Sequence, residues 1–212
     1  MLEESGYQVI EGVYSAAEVE RVVVSSGAFA IRRFLLEFPA QRPLVFTPRL
    51  LDIIRTHMGE DFFLVKSIYF DKPPGANWFV AAHQDLTIAV DRRMDLPGFG
   101  PWTVKGDQFA VQPPVDLLEA IYTVRIHLDD TDERNGALRV VEGSHRKGVY
   151  RPFSEEMKVC PVKAGGIMLM RPLLMHASSR TADERPRRVI HLEFCNRTLP
   201  GGIRWAEEFP VF

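Results

Sequence analysis

The chain has 212 residues, 46% of them hydrophobic and 25% charged, with a formal net charge of -2 at pH 7. This length fits one domain with a sizeable core, the composition excludes long disordered tracts, and the interspersed charge supplies no basic stripe for nucleic acid. No apolar run reaches the ~18 residues of a membrane span, and the acidic start MLEESGYQVIEGVYS lacks an export signal's basic flank; a cytoplasmic protein with no membrane partner is expected.

Ser15-Ala-Ala-Glu18 is a capping box that starts a helix. Residues 28–38, AFAIRRFLLEF, carry apolar positions at helical spacing, and Thr47-Pro48 places a cap and a first-turn proline before LLDIIRTHMG, which ends in Gly59. Residues 1–60 are therefore expected to be mostly helical support. From Phe62 the texture changes: FFLVKSIYF, LTIAV, AIYTVRIHL, ALRVV, IMLM and RVIHLEF are short, branched or aromatic, and bounded by Gly, Pro, Asn and Asp. Helices followed by many short strands predict an α+β, mainly β architecture. The expected form is a curved sandwich or jelly roll over 61–212 with the helices packed outside, in one domain spanning 1–212. Residues 91–115 hold four prolines and read as a long loop, a candidate lid. Cys160 and Cys195 have no C-x-x-C spacing, which argues against a disulfide framework or a thiolate zinc site.

Within AAHQDLTIAV, His83 and Asp85 sit two apart. On a strand they project from one face with Cα atoms about 6.6 Å apart, so both side chains can reach one ion. With a second imidazole they form the 2-His-1-carboxylate facial triad, which leaves open positions on Fe(II). The pair alone is weak evidence in a chain with six histidines and 28 acids, where a solvated strand end is the stronger reading of the pair by itself. The second histidine must come from His57, His127, His145, His176 or His191. His57 reads as a C-terminal helix residue and is set aside. A dicarboxylate such as 2-oxoglutarate needs a guanidinium fork for its far carboxylate. Spacing does not choose: Arg187 lies eleven after His176, Arg139 twelve after His127 and Arg204 thirteen after His191. Context is more telling, because His176 ends the apolar run GGIMLMRPLLM and precedes a polar turn into RRVIHLEFC. In that last strand Arg187, Val189, His191 and Glu193 share one face; the mostly apolar opposite face would pack on the helices and leave Arg187 to the cavity.

Taken in order, GYQVIEGVYSAAEVE, DKPPGANWFVAAHQD, LDDTDERNGALRVVEGSHRKG and MHASSRTADERPRRVIHLEF resemble the phytanoyl-CoA dioxygenase family of Fe(II)- and 2-oxoglutarate-dependent oxygenases. The resemblance covers almost the whole chain and implies a double-stranded β-helix. It implies that His83, Asp85 and His176 hold the iron, that Arg187 pairs with the far carboxylate of 2-oxoglutarate, and that Ser178 assists it. Arg125 stands where several members carry a tryptophan beside the co-substrate, so it adds a second cation for 2-oxoglutarate or for an anionic substrate. His145, in the GSH turn, is implied to be structural. The implied cofactors are Fe(II), 2-oxoglutarate and O₂, and the implied reaction is hydroxylation of an unidentified small molecule with release of succinate and CO₂.

Plainer roles stand beside these. Arg187 could be a surface strand residue, Ser178 a turn residue, and Arg125 with His127 part of a buried ion pair with Asp129. Trp78 and Trp102 flank the motif as mouth or packing residues; Lys66 and Tyr69 lie on a strand whose orientation the sequence leaves open. Two other functions compete: a zinc-type hydrolase or isomerase on a similar jelly roll, and a non-catalytic small-molecule binding module.

Overall fold

A computed structural model describes residues 2–22, 29–72, 79–151, 155–180 and 185–212. In chain order the elements are α1 (Leu2–Ser5), β1 (Tyr7–Ile10), α2 (Ala16–Val22), β2 (Ala30–Arg32), α3 (Phe34–Glu37), α4 (Arg42–Val45), α5 (Pro48–Met58) and β3 (Phe63–Lys72). There follow β4 (Val80–His83), β5 (Ile88–Val90), β6 (Trp102–Lys105), β7 (Gln108–Val111), α6 (Val115–Glu119), β8 (Tyr122–His127) and β9 (Leu138–Val140). The chain closes with β10 (Lys158–Cys160), β11 (Ile167–Met170), β12 (His176–Ser178), β13 (Arg187–Cys195) and β14 (Phe209–Pro210).

The helix signals act as read. Ser15 N–H donates to Glu18 Oε2 at 2.7 Å and Glu18 N–H to Ser15 Oγ at 3.3 Å, which starts α2. Leu50 N–H donates to Thr47 Oγ1 at 3.3 Å at the start of α5, and Gly59 at φ +95° ends it. Leu50 and Ile54, one turn apart, are fully buried.

Two expectations for the first 60 residues need correction. Tyr7–Ile10 is a strand that pairs with β11, and Ala30–Arg32 pairs with β3, so this region adds two strands to a sheet. Of the stretch predicted as a helix over 28–38, residue 28 lies outside the described residues and only Phe34–Glu37 is helical. The reason is local: Arg33 takes a left-handed conformation at φ +52°, which breaks the helical run, and the apolar residues before it find an edge of β3.

The strands form a seven-stranded sheet in the order β1-β11-β8-β13-β3-β14, with β2 also on β3, and a four-stranded sheet in the order β10-β9-β12-β4. All pairings are antiparallel. This is the expected jelly roll. The outward face of the larger sheet, through Val124, Ile126, Ile190, Leu192 and Phe194, buries against Phe34, Leu35, Leu50 and Ile54 of the helices. At about 1.5–3 kcal/mol per fully buried large apolar side chain, this layer is a major source of stability. Leu138, Val140, Met168, Met170 and Leu174 fill one end between the sheets and leave the other end hollow.

The loop expected over 91–115 contains a hairpin instead. β6 and β7 turn at Gly106, φ +66°, and join β5 in a three-stranded sheet. Four prolines concealed two short alternating runs, WTVK and QFAV. Val111 packs with Ile88, Val90 and Ile121, and Trp102 packs against the same cluster. Among the described residues no helix is long and apolar enough to cross a membrane.

Candidate metal centre

His83 is the last residue of β4 and His176 the first of β12, and the two are direct partners across these strands. Asp85 follows in the loop after β4, where its N–H donates to Pro172 O at 2.9 Å. Strand pairing and one backbone bond therefore bring the His83–Asp85 pair together with a histidine distant in sequence.

The ring orientations follow from hydrogen-bond chemistry. His83 Nδ1 lies 2.8 Å from Ala81 O, and His176 Nδ1 lies 2.8 Å from Leu174 O. A carbonyl can only accept, so each ring carries its proton on Nδ1 and offers the Nε2 lone pair. Both lone-pair nitrogens face Asp85: His83 Nε2 is 3.8 Å from Oδ1 and His176 Nε2 is 3.8 Å from Oδ2. All three donor atoms lie within 4.8 Å of one another.

The charge states agree. Burial pushes the Asp85 carboxyl up, but His176, His191, Lys66 and His83 together outweigh it and hold the group at about 2. Burial lowers His176 to about 4 against the pull of Asp85, so the imidazole is neutral at neutral pH. One carboxylate and two imidazoles, each ring with its Nε2 aimed inward, form a donor set that fits a divalent iron ion.

The site opens into a cavity of about 480 Å³ between the two sheets. Arg187, Ser178 and Arg125, the three residues expected at the co-substrate, all line it. Arg187, at the start of β13, is anchored through Nη1 to Gly136 O, and burial lowers its pKa. Ser178, on β12 two residues after His176, is 3% exposed. Arg125 projects from β8; burial first and then Arg187 lower it to about 10, with Asp85 opposing. Among the described residues no carboxylate lies within ion-pair distance of Arg125, and its Nε has no hydrogen-bond partner. The alternative pairing with Asp129 does not form, because Asp129 pairs with Arg188 at 2.6 Å and 2.8 Å on the opposite strand face.

Lys72 was not singled out from the sequence. It sits opposite Arg187 in the β13–β3 register, lines the cavity and is 2% exposed. Burial, then Arg187, lower it to about 8. The signal available was parity: Lys66, Ile68, Phe70 and Lys72 alternate along β3 on the cavity side, while Tyr69 points into the helix-packed core. Lys66 thereby gains an orientation.

Three of the other four histidines lie elsewhere. His57 is in the last turn of α5. His127 Nδ1 lies 3.1 Å from Thr131 Oγ1, and burial lowers the ring to about 3. His145 Nε2 lies 3.2 Å from Glu3 O, outside the cavity. Trp102, at the start of β6, packs against the cluster of Ile88 and Val111 and does not line the cavity; Trp78 lies outside the described residues.

Known proteins resemble this chain in sequence and in fold. A probable alpha-ketoglutarate-dependent hypophosphite dioxygenase of Stutzerimonas stutzeri is 29% identical over 176 residues, covering 69% of this chain and 52% of that protein. The chain thus spans about half the length of this curated relative. Among solved structures, EctD from S. alaskensis in its apoform superposes with a TM-score of 0.67 at 20% identity, covering 92% of this chain and 74% of EctD. The epimerase SnoN, in complex with Fe3+, alpha ketoglutarate and nogalamycin RO, gives 0.66 at 18% identity, covering 99% and 90%. HygX from Streptomyces hygroscopicus, with nickel and 2-oxoglutarate bound, gives 0.63 at 18%, covering 92% and 84%. At these identities the structural matches speak for the fold. The family model of phytanoyl-CoA dioxygenase matches residues 32–189, which spans the His83–Asp85–His176 cluster and Arg187. The chain belongs to the phytanoyl-CoA dioxygenase family.

Proposed function

We propose that this chain is an Fe(II)- and 2-oxoglutarate-dependent dioxygenase that hydroxylates a small molecule. The observation that carries the reading is the arrangement of His83 and His176, whose Nδ1-protonated rings turn both Nε2 lone pairs onto the Asp85 carboxylate. His83, Asp85 and His176 would hold the iron. When bound, the metal with 2-oxoglutarate and O₂ supplies oxidative decarboxylation, giving succinate and CO₂, coupled to oxidation of a C–H bond.

This chain's residues do the rest. Arg187 offers a planar fork to the far carboxylate of 2-oxoglutarate, and Lys72 beside it adds a cation. Ser178 supplies a hydroxyl on the same wall. Arg125 lines the same cavity and interacts electrostatically with both Asp85 and Arg187, which supports a carboxylate of the co-substrate, over the prime substrate, as its ligand. Ala30, Ile88 and Ala110 give the remaining wall an apolar lining, and β7 covers that side with Gln108 and Ala110. A cavity of about 480 Å³ that also houses 2-oxoglutarate fits a small substrate.

Anaerobic calorimetry with Mn(II) and 2-oxoglutarate tests the reading. Wild type should bind 2-oxoglutarate only when metal is present, and His176→Ala should lose metal, co-substrate binding and succinate formation together. Normal succinate formation by His176→Ala would refute the ligand assignment; metal-dependent turnover without O₂ or 2-oxoglutarate would replace the oxygenase with a hydrolase or isomerase.

A further inference from the structure

Behind Asp85 lies a row of charged and polar groups that the reaction above does not use. His191 and Glu193 continue the cavity face of β13 after Arg187 and Val189. In register His191 stands beside Arg125 of β8, and Glu193 beside Lys66 of β3. Lys66 Nζ donates to Glu193 Oε1 at 2.6 Å, His191 Nε2 lies 3.0 Å from the same oxygen, and Arg125 Nη1 lies 3.3 Å from His191 Nδ1. His191 is 5% exposed and Glu193 3%.

Asp85, His191 and Glu193 could be taken for a second metal cluster, since their donor atoms lie within 4.8 Å of one another. The Lys66 ammonium already fills the cation's role at Glu193. A different function follows from donor counting. A guanidinium has no acceptor, so His191 Nδ1 must be the lone pair that receives Arg125 Nη1–H. The ring proton is then on Nε2, and only a fixed acceptor such as the Glu193 carboxylate, held ionised by Lys66, keeps it there. The other tautomer would set an N–H against an N–H at Arg125. It would also leave Glu193 without its second donor.

We propose that His191 and Glu193 are positioning residues for co-substrate binding: Glu193 selects the His191 tautomer, and the lone pair so exposed aims Arg125 at a carboxylate of 2-oxoglutarate. Arg125 needs such a support because Arg187 repels it and no carboxylate of the described residues pairs with it. The bond to His191 spends one N–H and leaves Nε, without a partner, for the ligand. The inference rests on the reading of Arg125 as a co-substrate contact, and its test separates the two.

Imidazole ¹⁵N spectra of the metal-free protein, with the His191 signal identified by its loss in His191→Asn, should show the Nε2–H tautomer. An Nδ1–H tautomer there overturns the proposal without reference to any variant's folding. In calorimetry with Mn(II), Arg125→Met and His191→Leu should each weaken 2-oxoglutarate about tenfold or more, the loss expected for one charge-assisted bond. His191→Asn, whose Oδ1 replaces the Nδ1 acceptor, should recover most of that loss. The double variant Arg125→Met/His191→Leu should bind no worse than Arg125→Met alone, because His191 acts through Arg125. In turnover the loss should fall on the KM for 2-oxoglutarate more than on kcat. If Arg125→Met weakens binding while His191→Leu binds as wild type, or if the two losses add, the positioning role is overturned and the Arg125 contact stands. If Arg125→Met binds as wild type, both fall.

Discussion

Arg187→Lys gives the most direct measure of how this cavity holds its co-substrate. The guanidinium is fixed on one side through Nη1 to Gly136 O, which leaves the other N–H groups free to meet a carboxylate as a fork. Lysine keeps the charge but offers a single point of contact, and its ammonium would have to choose between the Gly136 carbonyl and the ligand. The expected loss is one charge-assisted hydrogen bond, about 1.5–3 kcal/mol, or roughly 10- to 150-fold in the dissociation constant of 2-oxoglutarate. Metal affinity should not change, because Arg187 takes no part in the His83–Asp85–His176 cluster. Anaerobic titration calorimetry with Mn(II) in place of Fe(II) separates the two affinities. A 2-oxoglutarate affinity within twofold of wild type would refute the assignment of the far carboxylate to Arg187.

Gly136→Ala should act on the same contact from behind. The residue sits at φ +81°, and an added Cβ would lie 2.7 Å from Ser179 O and 3.3 Å from Arg187 Nη1. Left-handed strain of about 1–2 kcal/mol should lower the melting temperature by several degrees, and 2-oxoglutarate should bind more weakly; an unchanged melting curve would contradict this. Lys72, lowered to about 8 by burial and then by Arg187, loses its proton readily in the free cavity above that pH. A bound carboxylate favours the ammonium, so 2-oxoglutarate binding near about pH 9 should take up protons, and the uptake should fade below about pH 7. Calorimetry in buffers of different ionisation enthalpy measures this, and proton release on binding would disprove it.

The legible parts of the chain were those fixed by neighbours in sequence. Ser15 with Glu18, Thr47 with Pro48, and Gly59 state helix ends within a few residues, and the alternation of Arg187, Val189, His191 and Glu193 states which face of β13 meets the cavity. The pairing of His83 with His176 is a contact across 93 residues of chain, and the strand context of His176 with the order of family motifs pointed to it. Segments whose partner decides their form were harder. Ala30–Arg32 lies in a stretch of helical spacing yet takes an edge of β3, and the β6–β7 hairpin is held together by a cluster drawn from β5, α6 and Trp205. Lys72 and Glu193 escaped for a related reason: each acquires its role from a residue on the adjoining strand, Arg187 and Lys66 respectively.

β4 occupies the border of the four-stranded sheet, with β12 as its one ladder partner among the described residues. Its final residue and the one two beyond it face a donor on that partner. An ion captured there would rivet the outermost strand to its neighbour, adding a crosslink that the backbone ladder lacks. At a free metal concentration 100 times the dissociation constant, such a rivet adds about 2.7 kcal/mol to the folded state. Metal supply would therefore govern how firmly this border stays closed, and cleavage at β4 by a protease would report iron loading in a sample that has never met its substrate.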